Sequence, residues 1–205
     1  MEFDSIIKKR RSVRSFRAKK VDWKLVLTAI DTAIQGPFAG NQNNLRFLII
    51  ESSDLIKKIS SLTRQPWISS APTLILVCSD DTYLEKLYGQ RGQIYSRQQA
   101  GAAINTILFK LVDLGLAACW VGEYSDDILK ESLKIPQHVE IEAVIAAGYH
   151  GTSPETGKRA IRKYKRPLEN SVYWGKWEQD QRPSLFREPE DLDIIKSADQ
   201  FKIKE

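Results

Sequence analysis

Two cysteines, two histidines and one methionine are all that the 205 residues hold of sulfur and imidazole. Little is left with which to bind a metal or crosslink the chain. Cys78 and Cys119 each lie inside an apolar stretch, where cysteine serves as a small core residue. A reducing cytosol is a simpler reading than a disulfide. His138 and His150 have no Cys, His or carboxylate cluster beside them. No metal site is expected, and each reads as a loop or strand-end residue. Long apolar runs are missing too, since Phe47 to Ile50 and Thr73 to Cys78 are far too short to span a bilayer. The opening Met1-Glu2-Phe3-Asp4 is not the charged-then-apolar start of a secretory signal, so a cytoplasmic protein without a membrane partner is expected. There is no Gly-x-x-x-x-Gly-Lys-Ser/Thr loop and no Gly-x-Gly-x-x-Gly after a strand. Neither an NTPase nor a Rossmann dinucleotide site is supported. No Gly-x-Ser-x-Gly elbow marks a nucleophile.

What is present is an ordinary globular balance, 42% hydrophobic and 28% charged, with no enrichment in glycine or proline. That is enough apolar material for a real core. At this length one domain is the first expectation and two small ones the alternative. The net charge of +5 is unevenly placed: residues 8–20 hold eight Lys or Arg and residues 158–166 hold six. Two separate clusters suit a discrete anionic ligand at least as well as a long polyanion. A basic nucleic-acid-binding module is the rival from another class, and it would be colourless and bind in a salt-sensitive way.

The periodicity predicts a short helix capped by Asp4 and a clearer one opened by Asp22. Trp23, Val26, Leu27, Ile30, Ala33 and Ile34 follow the spacing of one buried face. Gly36-Pro37 stops it, as a left-handed glycine before a residue that cannot continue a helix. A polar loop, 38–44, leads to a strand over Arg46 to Glu51. A helix over Asp54 to Leu62 and a buried strand over Thr73 to Cys78 follow. Tyr95 to Leu114 makes the longest helix, and its bulk-free middle, Ala100-Gly101-Ala102-Ala103, lets a helix or ligand approach closely. Strands are predicted over Ala117 to Val121 and Ile141 to Ala147, with a helix from Asp126 or Asp127 to Leu133 between them. Apolar strands separated by helices indicate an α/β layer whose sheet is covered on both faces. Residues 82–99 read equally as a substrate lid, with Tyr83, Tyr88 and Tyr95, or as a solvated helix and loop. From about residue 178 the chain is charged and reads as an extended tail.

The segment that carries chemistry is Arg10-Arg11-Ser12-Val13-Arg14-Ser15-Phe16. Guanidinium forks and a hydroxyl around one point suit a phosphomonoester and an electron-rich ring edge. Taken alone, it reads more simply as a solvated basic helix end favoured by the helix dipole. It does not stand alone. Arg-Arg-Ser-x-Arg-x-Phe near the start resembles the opening signature of the nitroreductase family of FMN enzymes. Further matches occur in that family's order: Gly36-Pro37 before a loop with Asn41 and Asn43, then a long helix leaving through Leu114-Gly115-Leu116-Ala117-Ala118-Cys119-Trp120-Val121-Gly122. A strand ending in Ala147-Gly148-Tyr149 and a basic stretch into Arg166-Pro167-Leu168-Glu169 complete the set. The resemblance covers about residues 3–177. Two departures stand out, since Phe38-Ala39 replaces a pair of serines and Asn44-Leu45-Arg46 replaces Pro-Trp-His.

The resemblance implies an α/β (α+β) fold with a central, mostly antiparallel sheet flanked by helices, in a domain-wrapped homodimer. Residues 1–177 would be the FMN-binding domain and 178–205 a charged extension embracing the partner. FMN would sit at the subunit interface. Arg10 and Ser12 would hold its phosphate with Arg11 beside them, and Arg14 would tune the pyrimidine edge electrostatically. Lys163 and Lys165 would complete the phosphate pocket, with Arg162 and Arg166 as competing choices. Pro37, Phe38 and Ala39 would come from the other subunit, joined by Asn41 and by Asn43 at the ring's polar edge. Phe38 could offer an apolar wall to the substrate instead. Gly122 and Glu123 would present backbone groups to flavin N5 and O4. Such an enzyme works by ping-pong: NAD(P)H gives hydride to N5 and leaves, and a small oxidised acceptor (nitroaromatic, quinone or flavin) takes its place. The flavin does the chemistry, so no side chain is cast as catalytic. A dehalogenating or flavin-cleaving relative and a non-catalytic FMN protein are the alternatives.

Overall fold

The computed structural model describes residues 1–151 and 171–177. The chain divides into two compact units, Met1–Thr156 and Gly157–Glu205. In the first, the elements run in the order α1 (Phe3–Lys9), α2 (Trp23–Ile34), β1 (Leu45–Ile50), α3 (Ser53–Leu62), β2 (Thr73–Asp80) and α4 (Thr82–Tyr88). They continue with α5 (Arg91–Asp113), β3 (Ala117–Val121), α6 (Asp126–Leu133) and β4 (Val139–Gly148). The four strands form one sheet in the order β1-β2-β4-β3, and every neighbouring pair is antiparallel.

The apolar runs explain the layering. Along β2, Ile75 and Val77 point to one core with α2 and α5, while Leu74, Leu76 and Cys78 point to the other with α3 and α6. Alternate residues of β4 divide in the same way, Ala143 and Ile145 against Val144 and Ala146. A strand whose central residues are apolar at every position, as in Leu74–Cys78 of β2 and Ala143–Ala147 of β4, must be covered twice. Each fully buried Leu or Ile contributes about 1.5–3 kcal/mol, so these two strands hold the layers together. Both cysteines are buried and unpaired. Among the described residues no helix is long and apolar enough to cross a membrane.

Several local expectations are corrected. Asp4 does not cap α1; Glu2 stands at the cap without a side-chain bond, and Asp4 sits inside the first turn. Asp22 does cap α2, accepting from the Lys24 N–H. Gly36 is not left-handed, so Pro37, which cannot continue a helix, is what ends α2. The apolar residues of α2 do not form one buried face. Val26, Ala29, Ile30 and Ala33 are buried, while Trp23, Leu27 and Ile34 form a second stripe open to solvent. At about 100° per residue the two stripes lie roughly a quarter-turn apart. The small residues of α5 divide too: Ala100 and Ala103 pack in the core with α2, whereas a Cβ at Gly101 would meet nothing within 4 Å.

The stretch 82–99, open between lid and solvated helix, contains α4 and the first turns of α5. Leu84 anchors it in the interior, and Gly92 allows the two helices to touch. A Cβ at Gly92 would overlap the backbone of Leu84 and lie 2.6 Å from Glu85 N. Helix propensity favours alanine over glycine by about 1 kcal/mol, but this contact is with backbone and cannot rotate away. Gly92→Ala should therefore destabilise the protein by about 1–3 kcal/mol, read as a lower urea midpoint at unchanged slope. A midpoint that rises would show that the α4–α5 approach is not tight.

Candidate functional site

The basic N-terminal segment is stitched to the free edge of β3. The Val13 N–H donates to Ala118 O at 3.1 Å, and Ser12 pairs with Ala118 in a parallel bridge. Further on, the Arg17 N–H donates to Tyr149 O at 2.9 Å and the Gly151 N–H to Ser15 O at 2.8 Å. Val13 and Phe16 are buried in the core that α3 and α6 cover. Turning Val13 inward turns its neighbours outward. Arg10, Ser12 and Arg14 all act on the Cys119 thiol. Burial pushes that thiol up, while the Arg14 charge, a Ser12 hydrogen bond and the Arg10 charge oppose the rise. The three residues thus lie within electrostatic reach of one buried thiol. Arg11 does not join them: its Nη2 lies 3.4 Å from His150 Nε2, in a cleft shared with Lys8 and Lys9. The Arg14 guanidinium lies 5.8 Å from the Trp67 ring centroid. Among the described residues no carboxylate pairs with Arg10, Arg11 or Arg14.

Among the described residues β3 is an edge strand, so one side of its backbone pairs with no described strand. The Ala118 carbonyl on that side accepts from Val13, and strand alternation directs the backbone groups of Trp120 the same way. Gly122 and Glu123 follow directly and are exposed. From Ala118 to Gly122 the strand covers roughly 14 Å. Beyond it, Ser61, Arg64, Glu123, Tyr124 and Ile128 line a cleft of about 440 Å³. The Tyr124 hydroxyl donates to Ile141 O at 2.7 Å, and burial, then the charges of Asp126 and Glu142, push its pKa up.

The expected loop residues lie elsewhere. Pro37, Phe38, Ala39, Asn41 and Asn43 lead into β1, at the opposite edge of the sheet from β3. Three strand spacings, roughly 14 Å, separate the edges. Phe38 is half-buried against the α2–α5 core. Gly40 and Asn41 both take left-handed conformations, with φ of 58° and 57°, which glycine and asparagine tolerate best. The Asn43 Oδ1 accepts from the Leu45 N–H at 3.0 Å. One chain thus lays the Arg10–Arg14 segment along β3 and sets Gly122 and Glu123 just past the end of that strand. The loop group is kept apart from both. Lys163 and Lys165, with Arg162 and Arg166, lie outside the described residues, as does the 178–205 extension.

A polar network that the sequence did not reveal ties this loop to α5. Gln99 and Asn44 are 6% and 7% exposed. The Ala39 N–H donates to Gln99 Oε1 at 3.1 Å, and Gln99 Nε2 donates to Gln42 O at 3.3 Å and Asn44 Oδ1 at 2.5 Å. Asn44 Nδ2 donates to Ser96 Oγ at 2.7 Å and Asp80 O at 3.1 Å. Ser96 donates to Asp81 at 2.5 Å, and Arg97 pairs with Asp81 at 2.7 Å and with Glu142. Burial, with Asp81 adding to it, raises the Glu142 pKa against the pull of Ser79 and Arg97. Desolvation works against the Arg97 charge, but Glu142 and Asp81 outweigh it and hold its pKa above the ordinary value. The partners lie far apart in the chain, so no local motif announces them. Among the described residues no group of three or more His, Cys, Asp or Glu could hold a metal ion.

Comparison with known proteins places these features in context. The model of the family described as "Nitroreductase family" matches residues 7–65 and 57–149. A provisionally named NADH dehydrogenase/NAD(P)H nitroreductase of Methanothermobacter thermautotrophicus is 31% identical over 163 residues, 76% of this chain and 81% of the relative. An FMN reductase (NAD(P)H) of Bacillus subtilis is 26% identical over 144 residues, 63% of this chain and 58% of the relative. The solved structure of an FMN-dependent nitroreductase from Clostridium difficile R20291 superimposes with a TM-score of 0.67 at 18% identity. That match covers 84% of this chain and 98% of the other.

Proposed function

The chain belongs to the nitroreductase family, and from that premise we propose that it is an FMN-dependent oxidoreductase. It would move hydride from NAD(P)H to a small oxidised acceptor such as a nitroaromatic, a quinone or a flavin. The observation that carries this reading is the pairing of the Arg10–Arg14 segment with the edge of β3, Ser12 bridged to Ala118 and the Val13 N–H bonded to Ala118 O, with Val13 buried between outward-facing Ser12 and Arg14. The guanidinium charge there is not neutralised by any described carboxylate. Guanidinium forks and a hydroxyl are the donors a phosphomonoester requires, and the β3 edge continues from them with backbone donors and acceptors over roughly 14 Å. These residues fit a flavin mononucleotide. Arg10 and Ser12 would hold the phosphate, with Lys163 and Lys165 proposed to complete the pocket. Trp120, Gly122 and Glu123 would offer backbone groups along the edge. When bound, the flavin supplies the hydride-transferring chemistry, which explains why no nucleophile or general base is needed from the chain. Arg14 would favour negative charge on the reduced ring.

The same reading requires two chains. The loop Pro37–Asn43 and the β3 edge lie on opposite sides of one sheet, so both groups can border one cofactor only if a second copy brings its loop. The surface for that copy is at hand in the exposed apolar residues Phe3, Ile7, Trp23, Leu27 and Ile34, and in the open space over Gly101.

Purified protein should be yellow, should release FMN on heating, and should bleach anaerobically with NADH or NADPH. Arg10→Ala should weaken FMN binding by roughly 2–5 kcal/mol, the cost of losing a buried charge partner. Riboflavin, which lacks the phosphate, should bind variant and wild type alike. Equal loss for both ligands would make Arg10 a support of the fold.

At about 4 Å and an effective dielectric near 20, a unit charge pair gains ~4 kcal/mol. If about half survives solvent screening as a difference between redox states, Arg14→Gln should lower the midpoint potential by roughly some tens of millivolts. A potential at the wild-type value, with oxidised FMN bound more weakly, would leave Arg14 an anchor only. Sedimentation should report a dimer, and a monomer that still binds one FMN per chain would contradict the shared site.

A further inference from the structure

Gln99 holds both ends of one loop. Its carbonyl oxygen faces an N–H, that of Ala39, while its amide nitrogen faces two oxygens, Gln42 O and Asn44 Oδ1. This pattern admits one amide orientation, because a flipped amide would set donor against donor and acceptor against acceptors. The side chain is 6% exposed, so water does not replace a bond that is lost. Asn44, also buried, passes the restraint on to Ser96 of the same helix and to Asp80 O. Between the two held ends the backbone passes through left-handed Gly40 and Asn41. Gly40 itself lies under Tyr88, where a Cβ would fall 2.5 Å from the hydroxyl oxygen. The loop is therefore fastened from α5 at two points and pressed from α4 at a third. Loops held in place by a rigid scaffold are where binding residues are often carried.

We propose that Gln99 is a positioning residue: by holding Ala39, Gln42 and Asn44 with one amide, it presets the loop that borders the flavin of a second subunit. This rests on the reading under Proposed function, in which Phe38, Ala39 and Asn43 of one chain face the cofactor held by the other. Gln99 touches neither cofactor nor acceptor in that arrangement. It acts through the loop, so its loss alters acceptor capture and the flavin's surroundings and leaves the phosphate grip at Arg10 and Ser12 intact.

The test compares wild type, Gln99→Leu and Gln99→Glu, each as FMN-loaded holoenzyme with NADH or NADPH as donor and menadione as acceptor. Leucine removes all three hydrogen bonds. Glutamate keeps the acceptor for Ala39 but, when ionised, points a negative oxygen at two acceptors; protonation restores one donor. Burial and those acceptors raise the pKa of the introduced carboxyl above its ordinary range. The expected result is an acceptor KM raised roughly ten- to hundredfold in Gln99→Leu, the scale of a catalytic group misplaced by about an ångström. The visible absorption of the bound flavin should be altered and the FMN Kd should change little. Gln99→Glu should show the same change at high pH and recover toward wild type as pH falls. If Gln99→Leu does not fold, Gln99→Glu decides alone. Variants that lose thermal stability but keep the wild-type flavin spectrum and acceptor KM at every pH would overturn the proposal and make Gln99 merely structural. A wild-type protein that binds no FMN would instead overturn the functional reading on which the proposal rests.

Discussion

The architecture turns on the double burial of β2 and β4. Both strands lie inside the sheet and are apolar on both faces, so no polar side chain can stand at their centres without a buried partner. An uncompensated hydroxyl or amide in such a place costs roughly 2–7 kcal/mol, more than most single contacts return. Polar chemistry is therefore confined to the sheet's edges and ends. At the β3 edge, backbone groups lack a neighbouring strand among the described residues, and the basic N-terminal segment lies against them. At the ends of β1, β2 and β4, Asn44, Ser79, Asp81 and Glu142 satisfy one another with Ser96, Arg97 and Gln99. The two polar regions are products of one apolar constraint.

That constraint also decides what could be read in advance. The core strands are legible because a run such as Thr73 to Cys78 has few alternatives once both faces must be covered. The N-terminal segment is legible because its residues are consecutive, and an extended chain with Val13 turned inward carries Ser12 and Arg14 outward together. Trp23, Leu27 and Ile34 read as buried in the sequence and are open to solvent in the fold, because periodicity reports that a face is apolar and not what covers it. α4 is open to two readings because its one fully buried anchor, Leu84, shares the helix with the exposed Tyr83, Leu87 and Tyr88, which sequence alone does not tell from a buried face, and the fit at Gly92 is a matter of shape. The polar network was invisible for a different reason. Asn44 and Ser96 are 52 residues apart and Ser79 and Glu142 are 63 apart, and nothing local distinguishes such residues from solvated ones.

The departures from the family's loop pattern now have a physical counterpart. Where the resemblance leads one to expect two serines, this chain has Phe38 and Ala39, which bring no hydroxyl to satisfy the turn locally. The Ala39 N–H finds its acceptor on α5 instead, in Gln99. Where a proline is expected, Asn44 stands, and its side chain is the centre of the buried bonds to Ser96, Asp80 and Gln99. Local restraint has been exchanged for long-range restraint. The consequence reaches beyond the loop. α5 carries Gln99 on its buried side and, one turn or less away, Gly101 and Ala102 on the side that faces outward. A rigid helix cannot move one of these sides without the other. A partner that packed over Gly101 would therefore bear, through the same helix, on the loop that Gln99 holds. In the proposed dimer, a subunit contact over Gly101 would be coupled to the geometry of the site by one element rather than by a chain of intermediates.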